Sequence, residues 1–188
     1  MQDEPRRVLV PLAEGFEEIE AVTVIDVLRR AGVEVVAAGL KPGPIKASRG
    51  VVMMADALLD DVLEQKFDMV VLPGGMPGAK ALGADERVRR VLERARDRNH
   101  WVAAICAAPA MVLEPGGFIK GAPATGHPSL ADKVSTYTGQ RVVTHGRLVT
   151  SQAPGTSMEF ALELVRHLCG EPKAREVAEP MLARWDPS

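Results

Sequence analysis

The chain has 188 residues, 46% of them hydrophobic and 26% charged, which suits one folded domain with a sizeable core and excludes a disordered chain. With a formal charge of −2 and no basic block, nothing in the sequence calls for nucleic acid or an anionic membrane as a partner. The longest apolar run, Trp101 to Leu113, is too short to span a bilayer, and no apolar core of signal-peptide type follows the leading MQDEPRR. With only Cys106 and Cys169 available and both read as thiols, a soluble cytoplasmic protein is expected.

In chain order, RVLVPL (7–12) predicts a strand buried on both faces, followed by a helix from about Glu17 to Ala31. Ile19, Val22, Ile25 and Leu28 recur along that helix as its expected apolar stripe, and Gly32 closes it. Residues 33–39 read as a second strand. Pro42, Gly43, Pro44 and Gly50 surround short β-prone pieces at 45–47 and 51–54, which predict a small antiparallel excursion. MVVL (69–72) is a further buried strand, followed by the loop PGGMPGA and a charged helix over about 86–98 with Val88, Val91, Leu92 and Ala95 inward.

Val102 to Ile105 predicts another buried strand, and Ala107 to Leu113 a helix with Pro109 in its first turn. Cys106 stands at the join, where a strand-to-helix turn exposes a nucleophile and a helix N-terminus would favour its thiolate. RVVTHGRLVTS (141–151) reads as a hairpin turning at His145-Gly146. Thr156 and Glu159 have capping-box spacing before a helix that carries Phe160, Ala161, Leu164, Val165 and Leu168 on one side. Gly170-Glu171-Pro172 ends it, a last helix is expected over about 173–182, and ARWDPS reads as a frayed tail. No internal repeat or low-complexity segment interrupts this pattern.

Strands alternating with helices imply a mostly parallel sheet covered on both faces, with ligands beyond the carboxyl ends of its strands. The loops after Leu12 and Leu72, and those near His127 and Ser151, can then meet Cys106. Glu17, Glu18 and Glu20 lie in the first of these, and spacing does not choose which carboxyl faces the thiol. A carboxyl buried there would resist ionisation and exchange protons. The backbone of Gly74-Gly75-Met76-Pro77-Gly78 offers N–H groups to a negative oxygen. Gly78-Ala79-Lys80 lacks the ending of a phosphate-binding loop, no GxGxxG follows the first strand, and no metal-ligand spacing occurs, so neither nucleotide nor metal is expected. His127 is a candidate base. His100, His145 and His167 read as surface or turn residues, and Cys169 as helix packing.

On GFEEIEAVTVIDVLRRAG (15–32), VVLPGGMPGA (70–79), AAICAAP (103–109), GHP (126–128) and TSQAPGTSMEFAL (150–162), the chain resembles the ThiJ/PfpI superfamily nearly end to end. Within it, the likeness is to the branch of the Parkinsonism-associated deglycase and its bacterial homologues. The resemblance implies a single domain over 1–188, a flavodoxin-like three-layer sandwich with a nucleophile elbow, usually a homodimer, and no cofactor. It aligns Glu20 with the thiol-bonding carboxyl, Cys106 with the nucleophile and His127 with the histidine. Gly74, Gly75 and Ala107 fall in the oxyanion-binding backbone, and Arg49 and Arg30 correspond to arginines near the site and the dimer contact. The implied activity is a glutathione-independent glyoxalase of the D-lactate dehydratase type, or a protein deglycase. Its substrates are small 2-oxoaldehydes, free or as early adducts on proteins and nucleotides. An oxidative-stress sensor or holdase chaperone working through Cys106 oxidation is the alternative, and a peptidase or amidase the third reading.

Overall fold

A computed structural model describes residues 5–187; Met1 to Glu4 of the leading MQDEPRR, and Ser188 of the ARWDPS tail, lie outside the described residues. The chain enters through β1 (Arg7–Leu12), buried from Val8 onward, and returns through α1 (Glu18–Arg30) to the parallel β2 (Glu34–Gly39). An antiparallel ribbon of β3 (Ile45–Lys46) and β4 (Val52–Met53) stands where the turn-rich excursion is expected. The short β5 (Ala57–Leu58) and α2 (Leu59–Val62) then lead to β6 (Met69–Leu72) on the other side of β1. Two helices, α3 (Met76–Ala84) and α4 (Glu86–Asp97), precede β7 (Trp101–Ile105). The hairpin β8 (Val142–His145) and β9 (Leu148–Ser151) lays β9 against β7, and α5 (Ser157–Cys169) and α6 (Glu171–Ala178) follow. The sheet order is β5-β2-β1-β6-β7-β9-β8, parallel except for β8, so the flavodoxin-like expectation holds.

That order positions the site. From β1 the chain steps one way to β2 and later the other way from β6 to β7. Right-handed crossovers in opposite directions put α1 and α4 on opposite faces. The loops leaving β1 and β6 therefore lie side by side at the carboxyl edge, at the switch point where ligands of such sheets bind. Cys106, at the end of β7, stands one strand away.

Several sequence expectations are corrected. The buried face of α1 is Ala21, Val24, Ile25, Val27 and Leu28, together with Glu18 and Glu20, whereas Ile19 and Val22 remain 54% and 46% exposed. The three-residue spacing crosses two faces of a helix that turns every 3.6 residues. A helix over 76–84, begun by Pro77 in its first turn, occupies part of what reads as loop. Ala107 to Leu113 is no regular helix: Pro109–Leu113 forms one π-type turn. Thr156 makes no capping box with Glu159. Its hydroxyl bonds the backbone of Ala153 and the Ser151 hydroxyl, while Glu159 pairs with Arg141. α6 begins two residues early, with Pro172 inside its first turn instead of preceding it. Cys169 is exposed at the end of α5. His167 is no surface residue: it stacks on Trp101 with ring centres 4.2 Å apart and reaches Glu163 at 3.2 Å and Thr144 at 3.0 Å. Among the described residues no helix is long and apolar enough to cross a membrane.

Candidate functional site

The loop after β1 and the loop after β6 meet backbone to backbone, with the Glu17 N–H donating to the Gly74 carbonyl at 3.0 Å. Two glycines allow this. Gly75 has a φ of +83°, and a Cβ there would run into the Gly15 carbonyl. At Gly74 a Cβ would lie 2.6 Å from both Cys106 Cβ and Glu20 Oε2, so the nucleophile and the carboxyl close on a residue without a side chain.

The first turn of α1 separates the three glutamates by their helical positions. Glu17 caps the helix, its Oε2 accepting the Glu20 N–H at 2.8 Å. Glu18 turns toward the excursion and accepts from the Ser48 hydroxyl at 3.0 Å and the Arg49 N–H at 2.9 Å. Burial works against its ionisation, but hydrogen bonds from its own backbone, Ser48, Arg49 and Val51 hold its carboxyl below the ordinary range. Glu20 points inward with no solvent exposure, accepts the Gly74 N–H at 2.8 Å and shares a hydrogen bond with the Cys106 thiol. Three dispositions thus follow from positions one and two residues apart.

Cys106 occupies a left-handed conformation, φ +64°, which costs a non-glycine residue about 1–3 kcal/mol. The elbow is tied on both sides: its N–H donates to the Ser151 carbonyl at 3.0 Å, and its carbonyl accepts the His127 N–H at 2.7 Å. The strained turn matches the nucleophile elbow, but its electrostatics differ from the expected lowered thiol pKa. Burial, then the charge and hydrogen bond of Glu20, push the thiol up to about 12 against the N–H groups of Gly75 and Ala107. Behind the sulfur stands a single π turn, so two amides serve it in place of an ordered helix dipole. Burial likewise raises Glu20 to about 7, since the bonds from Cys106 and Gly74 only partly offset the missing solvent and Glu17 adds repulsion. The two groups titrate as a pair that passes from two protons to one near neutral pH and keeps the second well above it. Glu20 is thereby matched to accept the thiol proton when sulfur reacts.

A cleft of about 640 Å³ opens above this pair, with Cys106, Gly75, Ala107, His127, Ser129 and Arg49 among its lining. Ile19, Met76, Pro77, Leu130 and Pro154 supply apolar walls. His127 begins the turn Pro128–Lys133; its Nδ1 accepts the Ser129 N–H at 3.2 Å and lies 2.8 Å from the Ser129 hydroxyl, which leaves the ring proton on Nε2. Gly74 is adjacent, but its N–H is spent on Glu20, whereas those of Gly75 and Ala107 face the sulfur. Arg30 is not brought in: it pairs with Asp26 at 3.0 Å on the exposed side of α1 and does not line the cleft. No group of His, Cys, Asp and Glu able to hold a metal occurs among the described residues. The wall residues Met76, Leu130 and Pro154 carry no chemical signal in the sequence, because only the folded loops bring such ordinary apolar residues to one place.

Residues 6–167 match the model of the DJ-1/PfpI family. Protein dj-1beta of Drosophila melanogaster is 42% identical over 183 residues, covering 95% of this chain and 97% of the relative. Protein DJ-1 homolog A of Arabidopsis thaliana is also 42% identical, over 96% of this chain, but the chain spans only 47% of that longer protein. Homolog B of the same plant is matched over 41% of its length. A 34% identical relative from Caenorhabditis elegans, covering 93% of this chain and 94% of that one, is named glutathione-independent glyoxalase DJR-1.2. Among solved structures, oxidized Toxoplasma gondii DJ-1 superposes with a TM-score of 0.92 at 38% identity, over 95% of this chain and 98% of that one.

Proposed function

The chain belongs to the DJ-1/PfpI family, and on that premise we propose that it is a cofactor-independent glyoxalase and deglycase acting through Cys106. One observation carries the reading. A thiol on a strained elbow shares its proton with a fully buried carboxyl raised to about 7, at the floor of an open cleft. Glu20 takes the thiol proton as sulfur adds to the aldehyde carbon, and the new oxygen is protonated to give a hemithioacetal. The N–H groups of Gly75 and Ala107 steady the negative charge in passing. Glu20 and His127 then move a proton from the aldehyde carbon to its neighbour, which turns the adduct into the thioester of a 2-hydroxy acid. Water cleaves it, restoring the thiol and releasing lactate from methylglyoxal or glycolate from glyoxal. Aldehyde plus water gives hydroxy acid with no net oxidation, so no cofactor enters. On an early adduct the thiolate would instead displace nitrogen at the carbinolamine carbon: the C–S bond forms, the C–N bond breaks, and the proton taken by Glu20 passes to the departing protein or nucleotide amine, leaving the same hemithioacetal. The name of the nematode relative supports this substrate class.

Purified protein incubated with methylglyoxal, without glutathione or metal, is expected to form lactate, and Cys106→Ser to form almost none. Absence of lactate from the wild type would overturn the proposal.

A second reading, a peroxide sensor, is favoured by the buried Glu20 Oε1, which has no hydrogen-bond partner among the described residues. Protonated, it would donate to an oxygen of a Cys106 sulfinate. We further propose a homodimer built on the exposed apolar strip of Ile19, Val22, Val51, Val52 and Met54, a face that a monomer would leave in water. Light scattering should return twice the chain mass.

A further inference from the structure

We propose that Glu18 is a positioning residue that holds the Ser48–Arg49 turn so that the Arg49 guanidinium stands over the Cys106 cleft. Glu18 is 9% exposed, yet its carboxylate has no cationic partner among the described residues. All its donors come from α1 itself or from the 48–51 segment. Oε1 accepts the Arg49 N–H at 2.9 Å, and Oε2 accepts the Ser48 hydroxyl at 3.0 Å and the Arg49 N–H at 3.2 Å. Two further bonds join the same segments, the Ser48 N–H to the Phe16 carbonyl and the Gly15 N–H to the Lys46 carbonyl, each 2.8 Å. The turn is therefore stitched to the first turn of α1, the one that presents Glu20 to the thiol.

What the stitching holds in place is a cation. Arg49 lines the cleft with Cys106, and among the described residues its guanidinium makes no ion pair or side-chain hydrogen bond. A buried carboxylate costs free energy unless its bonds return it, and here they order a short turn whose one charged side chain serves the cleft. Chain connectivity explains why the clamp grips backbone: bonds to the Arg49 N–H and the Ser48 side chain fix the turn while leaving the guanidinium to meet an anionic group. The inference rests on the cleft being the reactive site and is independent of which aldehyde is turned over.

Alkylation of Cys106 by neutral iodoacetamide and anionic iodoacetate, followed by peptide mass, reads the charge over the thiol without requiring turnover. Arg49→Ala is expected to lower the iodoacetate to iodoacetamide rate ratio about threefold, the worth of one part-exposed charge. Glu18→Ala should lower it similarly with the iodoacetamide rate unchanged, and the double variant should be no lower than Arg49→Ala. Loss of a carboxylate by charge alone would raise the ratio, so the sign discriminates. Should Glu18→Ala fail to fold, Ser48→Ala and Glu18→Gln, which remove part of the clamp, should give intermediate ratios. An unchanged or raised ratio, a parallel fall in both rates, or additive losses in the double variant would overturn the inference. A responsive ratio in a protein that makes no lactate would retain the clamp and reject the glyoxalase.

Discussion

Two buried glutamates, Glu20 and Glu163, differ in their company. Glu20 lies at the carboxyl edge of the sheet with a thiol and a backbone N–H as partners, and burial raises it to about 7. Glu163 on α5 is 1% exposed and is also penalised by burial, but bonds and charges from His167 and Arg166 outweigh that and hold it at about 2. Similar burial gives opposite outcomes because one carboxyl has a guanidinium and an imidazole as hydrogen-bond partners and the other has neither. The first carboxyl can trade a proton near neutral pH; the second keeps its charge and ties α5 to β8 and, through His167, to Trp101 of β7.

The largest effect that could break this comparison is on turnover. Glu20→Gln keeps the shape and removes proton exchange, so lactate formation should fall about 10²–10⁴-fold, whereas Glu163→Gln should change it by less than about twofold. Equal losses measured in a methylglyoxal assay would erase the distinction.

Next in size is the pH dependence of stability, for which the two residues predict opposite signs. Because folding raises the Glu20 pKa from 4.5 to about 7, the folded chain binds more protons, and stability falls as pH rises through that window. The loss amounts to about 3 kcal/mol, and denaturant titrations at pH 5 and 8 should show it in wild type and not in Glu20→Gln. Glu163 is depressed on folding from 4.5 to about 2, so its contribution is full above pH 4.5 and is lost as pH falls through that window. Allowing for solvent around its part-exposed partner Arg166, about 1–2 kcal/mol should disappear between pH 5 and 2 relative to Glu163→Gln. A common slope for both variants would contradict the assignment.

Gly74→Ala sharpens the comparison by disturbing one site alone. Its Cβ would force Cys106 and Glu20 apart, at a cost of about 1–3 kcal/mol for overpacking. Thermal unfolding should record that loss, and the rise of Cys106 peroxide reactivity with a midpoint near pH 7, expected of wild type, should shift or vanish. An unaltered profile would show that the two groups do not act as a pair.

Much of this was legible in the linear pattern. β-branched and leucine runs mark β1, β6 and β7 because strands buried on both faces exclude polar residues, and the glycines after β6 announce a loop of close backbone approach. The Cys106 elbow follows from a strand running into small residues and a proline. What sequence-local reasoning could not decide was long-range. The facing of α1 depends on what packs against it, so Ile19 and Val22 pass for core while remaining exposed. His167 needs Trp101 and Glu163, which are distant in sequence or a turn away, before it becomes a buried partner. Among Glu17, Glu18 and Glu20, residue type and spacing are nearly the same; Glu17 finds its partner within its own helix turn, and only Gly74 and the 48–51 turn assign Glu20 and Glu18 theirs. The thiol shows the limit most plainly, because its pKa is set by lost solvent and a neighbouring carboxylate, quantities that exist only once the loops have closed around Cys106.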